Sequence, residues 1–146
     1  MAFVPNLIYI RQLSITPFTV KLPPTESGYT TDWTSGWGIK PAADYLITKA
    51  QTKNVIVGTE GNFGTLPDGL QIYTDSIPNL TIIGQGLGFT QIPPQLVDAN
   101  LAGDDVYLLI NQSRNMLNID QLQKLTLIAS YPKPGSDYLQ LYQLKP

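Results

Sequence analysis

Apolar positions along this chain alternate between two spacings, and each change of spacing marks an element. Ile39, Ala42, Ala43, Leu46, Ile47 and Ala50 recur at helical intervals on one face, which predicts a helix beginning near Lys40. Pro41 suits its first position, where a missing N–H costs nothing. Residues 54–57 (Asn-Val-Ile-Val) then read as a short buried strand. A glycine-rich turn over residues 58–64 follows. Thr65 suits the N-cap of a second helix, with Asp68 three residues on completing a carboxylate variant of the capping box. The apolar face of that helix is Leu66, Leu70, Tyr73 and Ile77, and Pro78-Asn79 ends it. Residues 80–83 form a second strand closed by Gly84, and residues 93–100 a short helix opened by proline. A third strand spans 106–110 and a fourth 122–129, with a turn of helix over 120–123 before it. Residues 132–137 form a hairpin-like loop. A last strand over 138–144 pairs antiparallel with the fourth.

The first 37 residues read as extended and loop-like. Leu7-Ile8-Tyr9-Ile10 suggests a short strand, and the prolines after Val20-Lys21-Leu22 favour extended backbone. The segment from Gly28 to Gly38 carries glycine and polar residues of a loop together with aromatics that bury or bind. Strands alternating with helices imply α/β architecture: a mainly parallel sheet flanked by helices, a Rossmann-like layered sandwich, with an antiparallel C-terminal strand pair. Residues 20–146 are expected to form one domain and residues 1–19 an N-terminal lead.

Composition narrows the chemistry. The chain has 146 residues, enough for one core. Charged residues make up 14%, below the roughly 25% usual for soluble domains, so either another domain covers part of the surface or neutral polar residues dominate it. The net charge of -2 without a basic cluster argues against nucleic acid as a partner. Cysteine and histidine are both absent. Disulfides, thiolate and histidine metal sites, and histidine-based triads are thereby excluded. No metal or cofactor is expected. No run reaches the ~20 apolar residues of a transmembrane helix, and the N-terminus lacks the basic region of a signal peptide.

The turn after the first predicted strand, Gly58-Thr59-Glu60-Gly61-Asn62-Phe63-Gly64-Thr65, is the first candidate site, because ligands bind past the carboxyl ends of strands in open α/β sheets. Backbone amides there suit an anion, but Glu60, one of two glutamates in the chain, opposes a phosphate. Its carboxylate suits sugar hydroxyls or the loop's own amides. The plainer alternative is a structural turn whose glycines take positive φ. The spacing G-x-x-G-x-x-G does not match the dinucleotide fingerprint. Gly84-Gln85-Gly86-Leu87-Gly88 is a second, weaker glycine loop. In the Gly28–Gly38 loop, Tyr29, Asp32, Trp33 and Trp37 combine aromatic faces with a carboxylate, a composition that suits carbohydrate; the plainer alternative is an aromatic plug packing the loop onto the sheet, with Asp32 capping a turn. Glu60 and Asp32 raise the further option of a paired acid and base, as in glycoside hydrolysis.

Two segments resemble a known family. Trp33-Thr34-Ser35-Gly36-Trp37-Gly38-Ile39-Lys40 ahead of an amphipathic helix, and Gly58-Thr59-Glu60-Gly61-Asn62-Phe63-Gly64-Thr65-Leu66-Pro67-Asp68-Gly69-Leu70, resemble motifs of the soluble tail of bacterial family 39 membrane glycosyltransferases. That superfamily includes protein O-mannosyltransferases and aminoarabinose transferases. Pro78-Asn79-Leu80, Ile83-Gly84 and Tyr131-Pro132-Lys133 fit as well, so the likeness spans residues 20–146. The resemblance implies an accessory domain on the extracytoplasmic face of the bacterial cytoplasmic membrane, following the last membrane helix. Its partners would be the transmembrane part of the same polypeptide and a carbohydrate or polyprenyl-phosphate sugar. The family's catalytic acid lies in the membrane part, so no catalytic residue is assigned here. Tyr29, Asp32, Trp33, Trp37, Thr59, Glu60, Asn62 and Thr65 are the candidate substrate-binding residues. The alternatives are a free-standing enzyme or binding domain for a nucleotide or nucleotide sugar at the 58–65 turn, and a purely structural tail.

Overall fold

A computed structural model of the protein describes residues 3–20, 23–26 and 28–146. In chain order its elements are α1 (Phe3–Ile15), a 3-10 turn (Pro17–Thr19), α2 (Gly28–Thr31), α3 (Ile39–Ala50), β1 (Val55–Thr59), α4 (Asp68–Thr74), β2 (Leu80–Gly84) and α5 (Pro94–Leu101). There follow β3 (Asp105–Asn111), a 3-10 turn (Gln112–Arg114), α6 (Ile119–Leu122), β4 (Leu125–Pro132) and β5 (Tyr138–Leu144).

The five strands form one mixed sheet in the order β2-β1-β3-β5-β4. β1 pairs in parallel with β2 and with β3. β5 lies between β3 and β4 and runs antiparallel to both. The sheet is therefore half parallel, with the antiparallel character beginning at β3, one strand earlier than a C-terminal pair alone would place it. The reason is that the β4–β5 hairpin inserts its second strand against β3, so β5 is central and β4 is the edge.

The middle strand explains the two-layer core. From Val106 to Asn111 every residue of β3 is buried, the continuous run of a strand covered on both faces. Successive side chains point to opposite faces. Tyr107 and Leu109 pack with Val55, Val57, Leu139 and Leu141 against α3 and α4. Val106, Leu108 and Ile110 pack with Leu125, Leu144 and α5, through Leu96. The stripe of α3 is buried as its spacing predicts: Ile39, Ala42, Ala43, Leu46 and Ala50 face the sheet. Ile47 is half-buried beside them. The small alanines let α3 lie close to the strands.

Several local expectations are corrected. Leu7–Ile10 belongs to helix α1, not a strand. Pro5 falls in the first helical turn, where it is tolerated, and among the described residues no strand pairs with this segment. The second helix begins at Asp68, so Thr65 is not its N-cap. Thr65 Oγ1 donates instead to the Thr34 carbonyl at 2.9 Å, and the Asp68 carboxylate accepts the Gly64 N–H at 2.8 Å. Leu66, Leu70 and Ile77 of the expected apolar face pack into the core, but Tyr73 is exposed and Thr74 is buried in its stead. Lys21 and Leu22, expected to be extended, lie outside the described residues.

Gly58 lies where β1 passes α5. A Cβ there would lie 2.5 Å from Leu96 Cδ1 and 3.0 Å from Leu108 Cδ2, both fully buried. Gly58→Ala should therefore lower stability by about 1–3 kcal/mol through overpacking. Urea denaturation checks it, and an unchanged midpoint would mean that α5 stands off further than described.

Candidate functional site

The carboxyl ends of β1 and β3 lie side by side, and the chain leaves them on different courses. After β1 it runs toward α4 on one face of the sheet; after β3 it runs into the 3-10 turn and α6. Such a divergence opens a crevice at the sheet's carboxyl edge. Glu60, the first residue past β1, and Asn111, the last of β3, form its floor.

Glu60 is 3% exposed. One carboxylate oxygen, Oε1, accepts the Asn111 backbone N–H at 3.1 Å and the Asn111 side-chain amide in a short contact. The other, Oε2, lies 3.3 Å from Arg114 Nε in an ion pair without hydrogen-bond alignment. Burial pushes the Glu60 carboxyl above its ordinary value. The two Asn111 donors oppose that shift, and so, more weakly, do the charges of Arg114 and Lys133. The Arg114 guanidinium stacks over the Trp33 ring, 4.0 Å from its centroid.

The loop bearing Trp33 is tied down from three sides. Asn111 Nδ2 reaches the Trp33 carbonyl at 3.5 Å, and Thr65 Oγ1 holds the Thr34 carbonyl. Lys133, buried at the start of the β4–β5 loop, donates to the carbonyls of Ser35 at 2.9 Å, Trp33 at 3.2 Å and Asp32 at 3.4 Å. Desolvation lowers the Lys133 ammonium below its ordinary value, opposed by Asp137, Glu60 and Asp32. Asp137 in turn accepts the backbone N–H and hydroxyl of Ser113, fixing the turn that carries Arg114. Gly61 takes φ +82° and exchanges hydrogen bonds with Gly86, so the two glycine loops brace each other.

The result is a cleft of about 130 Å³. Of the candidate residues, Trp33, Glu60, Asn62 and Thr65 line it together. Thr59 is fully buried beneath, its hydroxyl without a hydrogen-bond partner. Asp32 does not line it: its carboxylate accepts the Trp33 N–H at 2.7 Å, a turn-forming contact. Trp37 is half-buried and also lies outside the lining. The backbone of Tyr29 is in α2, and its side chain lies outside the described residues. Asn111 and Arg114 line the cleft without having been singled out from sequence, and Leu87 comes from the second, weaker glycine loop. The signal for Asn111 was its place at the end of a wholly apolar strand. Arg114 carries no comparable signal, because a turn three residues long brings it back. Phe63 and Leu87 are 81% and 65% exposed, and with Trp33 they make an apolar rim around a polar floor.

Chemically, the cleft holds one carboxylate, and Asp32 is not beside it, so the lining offers no carboxylate pair for acid–base work. Among the described residues no group of three or more acidic side chains is placed to hold a metal.

The raised Glu60 carboxyl makes stability depend on pH. Below the ordinary carboxylate value both folded and unfolded chains are protonated there. Between that value and the raised one the folded state keeps a proton that the unfolded chain has lost, so Glu60's contribution is present at low pH and is lost as pH rises through the raised value. Urea unfolding of the wild type and Glu60→Gln from about pH 4 to 7 should show the wild type losing stability relative to the variant as pH rises. A difference constant with pH would contradict the raised carboxyl.

Compared with protein-family models, with curated proteins and with solved structures, the chain matches none of them, so the reading of the site rests on its geometry.

Proposed function

We propose that this chain is the extracytoplasmic accessory domain of a membrane glycosyltransferase of the family 39 kind, helping to cover the active site and to position substrate, and not catalytic by itself. One observation carries the reading. The two segments that resemble the family's tail, around Trp33 and around Glu60, are distant in sequence yet meet in a single cleft at the sheet's carboxyl edge. A merely structural tail needs no such convergence onto a polar floor.

Two further features support it. One turn of α1 is apolar on every side: Leu7, Ile8, Tyr9 and Ile10 are consecutive, and all are exposed. Such a helix suits contact with the transmembrane part of the same polypeptide. Among the described residues no helix is long and apolar enough to cross a membrane itself. The three parallel strands with helices on both faces also suit a Rossmann-like layering. The rival reading, a nucleotide or nucleotide-sugar site at the 58–65 turn, is opposed by the buried Glu60 carboxylate where a phosphate would lie.

The test is sugar transfer by the full-length enzyme in membranes, intact and without residues 20–146, with insertion verified. Loss of transfer with normal insertion is expected. Glu60→Gln in the intact enzyme should reduce transfer about tenfold, the scale of one lost hydrogen bond to a charged group. Unchanged transfer by the truncated enzyme would end the proposal.

A further inference from the structure

The cleft's polar atoms divide into acceptors and donors in a way that selects a ligand. Glu60 Oε2 and Asn111 Oδ1 are buried without a hydrogen-bond partner, on side chains that are 3% and 1% exposed and that line the cleft. Leaving such atoms unpaired costs free energy unless a ligand's donors meet them. Beside them Arg114 is engaged with the carboxylate through Nε, so its terminal amino groups remain donors. Two acceptors and a fork of donors thus share one small floor.

We propose that this floor is a subsite for a neutral sugar ring, which it takes up through two adjacent hydroxyl groups. A hydroxyl both donates and accepts. One of the pair donates to Glu60 Oε2 and accepts from Arg114; its neighbour donates to Asn111 Oδ1. An anion meets the Glu60 carboxylate, and a cation meets the Arg114 guanidinium, so neither charge is favoured over a neutral polyol. The walls agree with this assignment. Trp33, held by Arg114 on one face, and the exposed Phe63 and Leu87 offer apolar surface to the C–H face of a ring. The volume of about 130 Å³ suits a single ring held partly outside the cleft, not a dinucleotide. The subsite also separates two groups of candidates that the sequence joined: Glu60 and Trp33 act in it, whereas Asp32 shapes the loop and Trp37 lies elsewhere.

This inference rests on the accessory reading only in taking the cleft as the working site, and its test does not require sugar transfer. The 146-residue chain, labelled with ¹⁵N, is titrated with methyl glycosides of glucose, mannose and galactose. Deoxy counterparts lacking one hydroxyl, glucose 6-phosphate and uridine monophosphate serve as comparators. Saturable shifts at millimolar sugar, centred on the amides of residues 33–35, 60–65 and 111–114, are expected for at least one neutral glycoside, with about tenfold weaker binding of its deoxy form. Glu60→Gln should weaken binding by a similar factor. Phe63→Ala, at an exposed rim position where folding is not at stake, should weaken it several-fold.

No saturable binding of any neutral glycoside overturns the proposal, as does equal binding of the deoxy forms or stronger binding of the phosphates. If Glu60→Gln proves unfolded, the deoxy comparison and Phe63→Ala still decide. Absent sugar binding combined with lost transfer on truncation would remove the subsite and leave the accessory role standing.

Discussion

A carboxylate buried at the end of a parallel strand constrains this fold more than any other group. Glu60 cannot lie at the sheet's edge in a charged form without donors, and the donors are supplied by the neighbouring strand and the turn after it. Once Asn111 and Arg114 are committed to Glu60, Arg114 fixes the plane of Trp33, and Asn111 reaches the carbonyl of the same residue. Lys133 secures that loop from the opposite hairpin. Four segments far apart in sequence are thereby joined in a chain of contacts that starts at Glu60. The arrangement is not optimised for stability, since burial raises the carboxyl and leaves acceptor atoms unpaired. Groups held at such a cost in a concave site are where function is expected.

The contrast between floor and rim carries the functional argument. A polar floor with an apolar collar is the composition of a ligand site, not of a solvated turn. The collar is costly to expose: Phe63 and Leu87 are both largely in water. On the proposed reading, a sugar ring in the cleft meets both the unpaired acceptors and the exposed apolar surface. A purely structural tail resolves neither.

Much of the fold was legible from periodicity. The α3 stripe, the strands at 55–59, 80–84 and 105–111, and the final hairpin follow from spacing and turn residues. What was not legible depends on distant partners. The side of β3 on which the hairpin docks is decided by packing, so the parallel core and the antiparallel β4–β5 pair were legible, whereas the antiparallel pairing of β5 with β3 was not. Leu7–Ile10 of α1 was read as a short strand because four consecutive apolar residues suit either element. Thr65 has the chemistry of a cap, yet its hydroxyl bonds a loop 31 residues away. Of the site, Glu60 and Trp33 stood out by rarity and position, whereas Arg114 and Lys133 acquire their roles only when the hairpin closes.

The claim that Glu60 and its guanidinium partner organise the site as one unit is tested most directly by a double-mutant cycle. Unfolding free energies are measured for the wild type, Glu60→Gln, Arg114→Met and the double variant at neutral pH. Removing either partner strands the other, so the double variant should be less destabilised than the sum of the single changes, with a coupling of about 1–3 kcal/mol. Changes that add to within about 0.5 kcal/mol would contradict the account: the ion pair would then be incidental, and the Trp33 loop would owe its place to Lys133, Thr65 and Asn111.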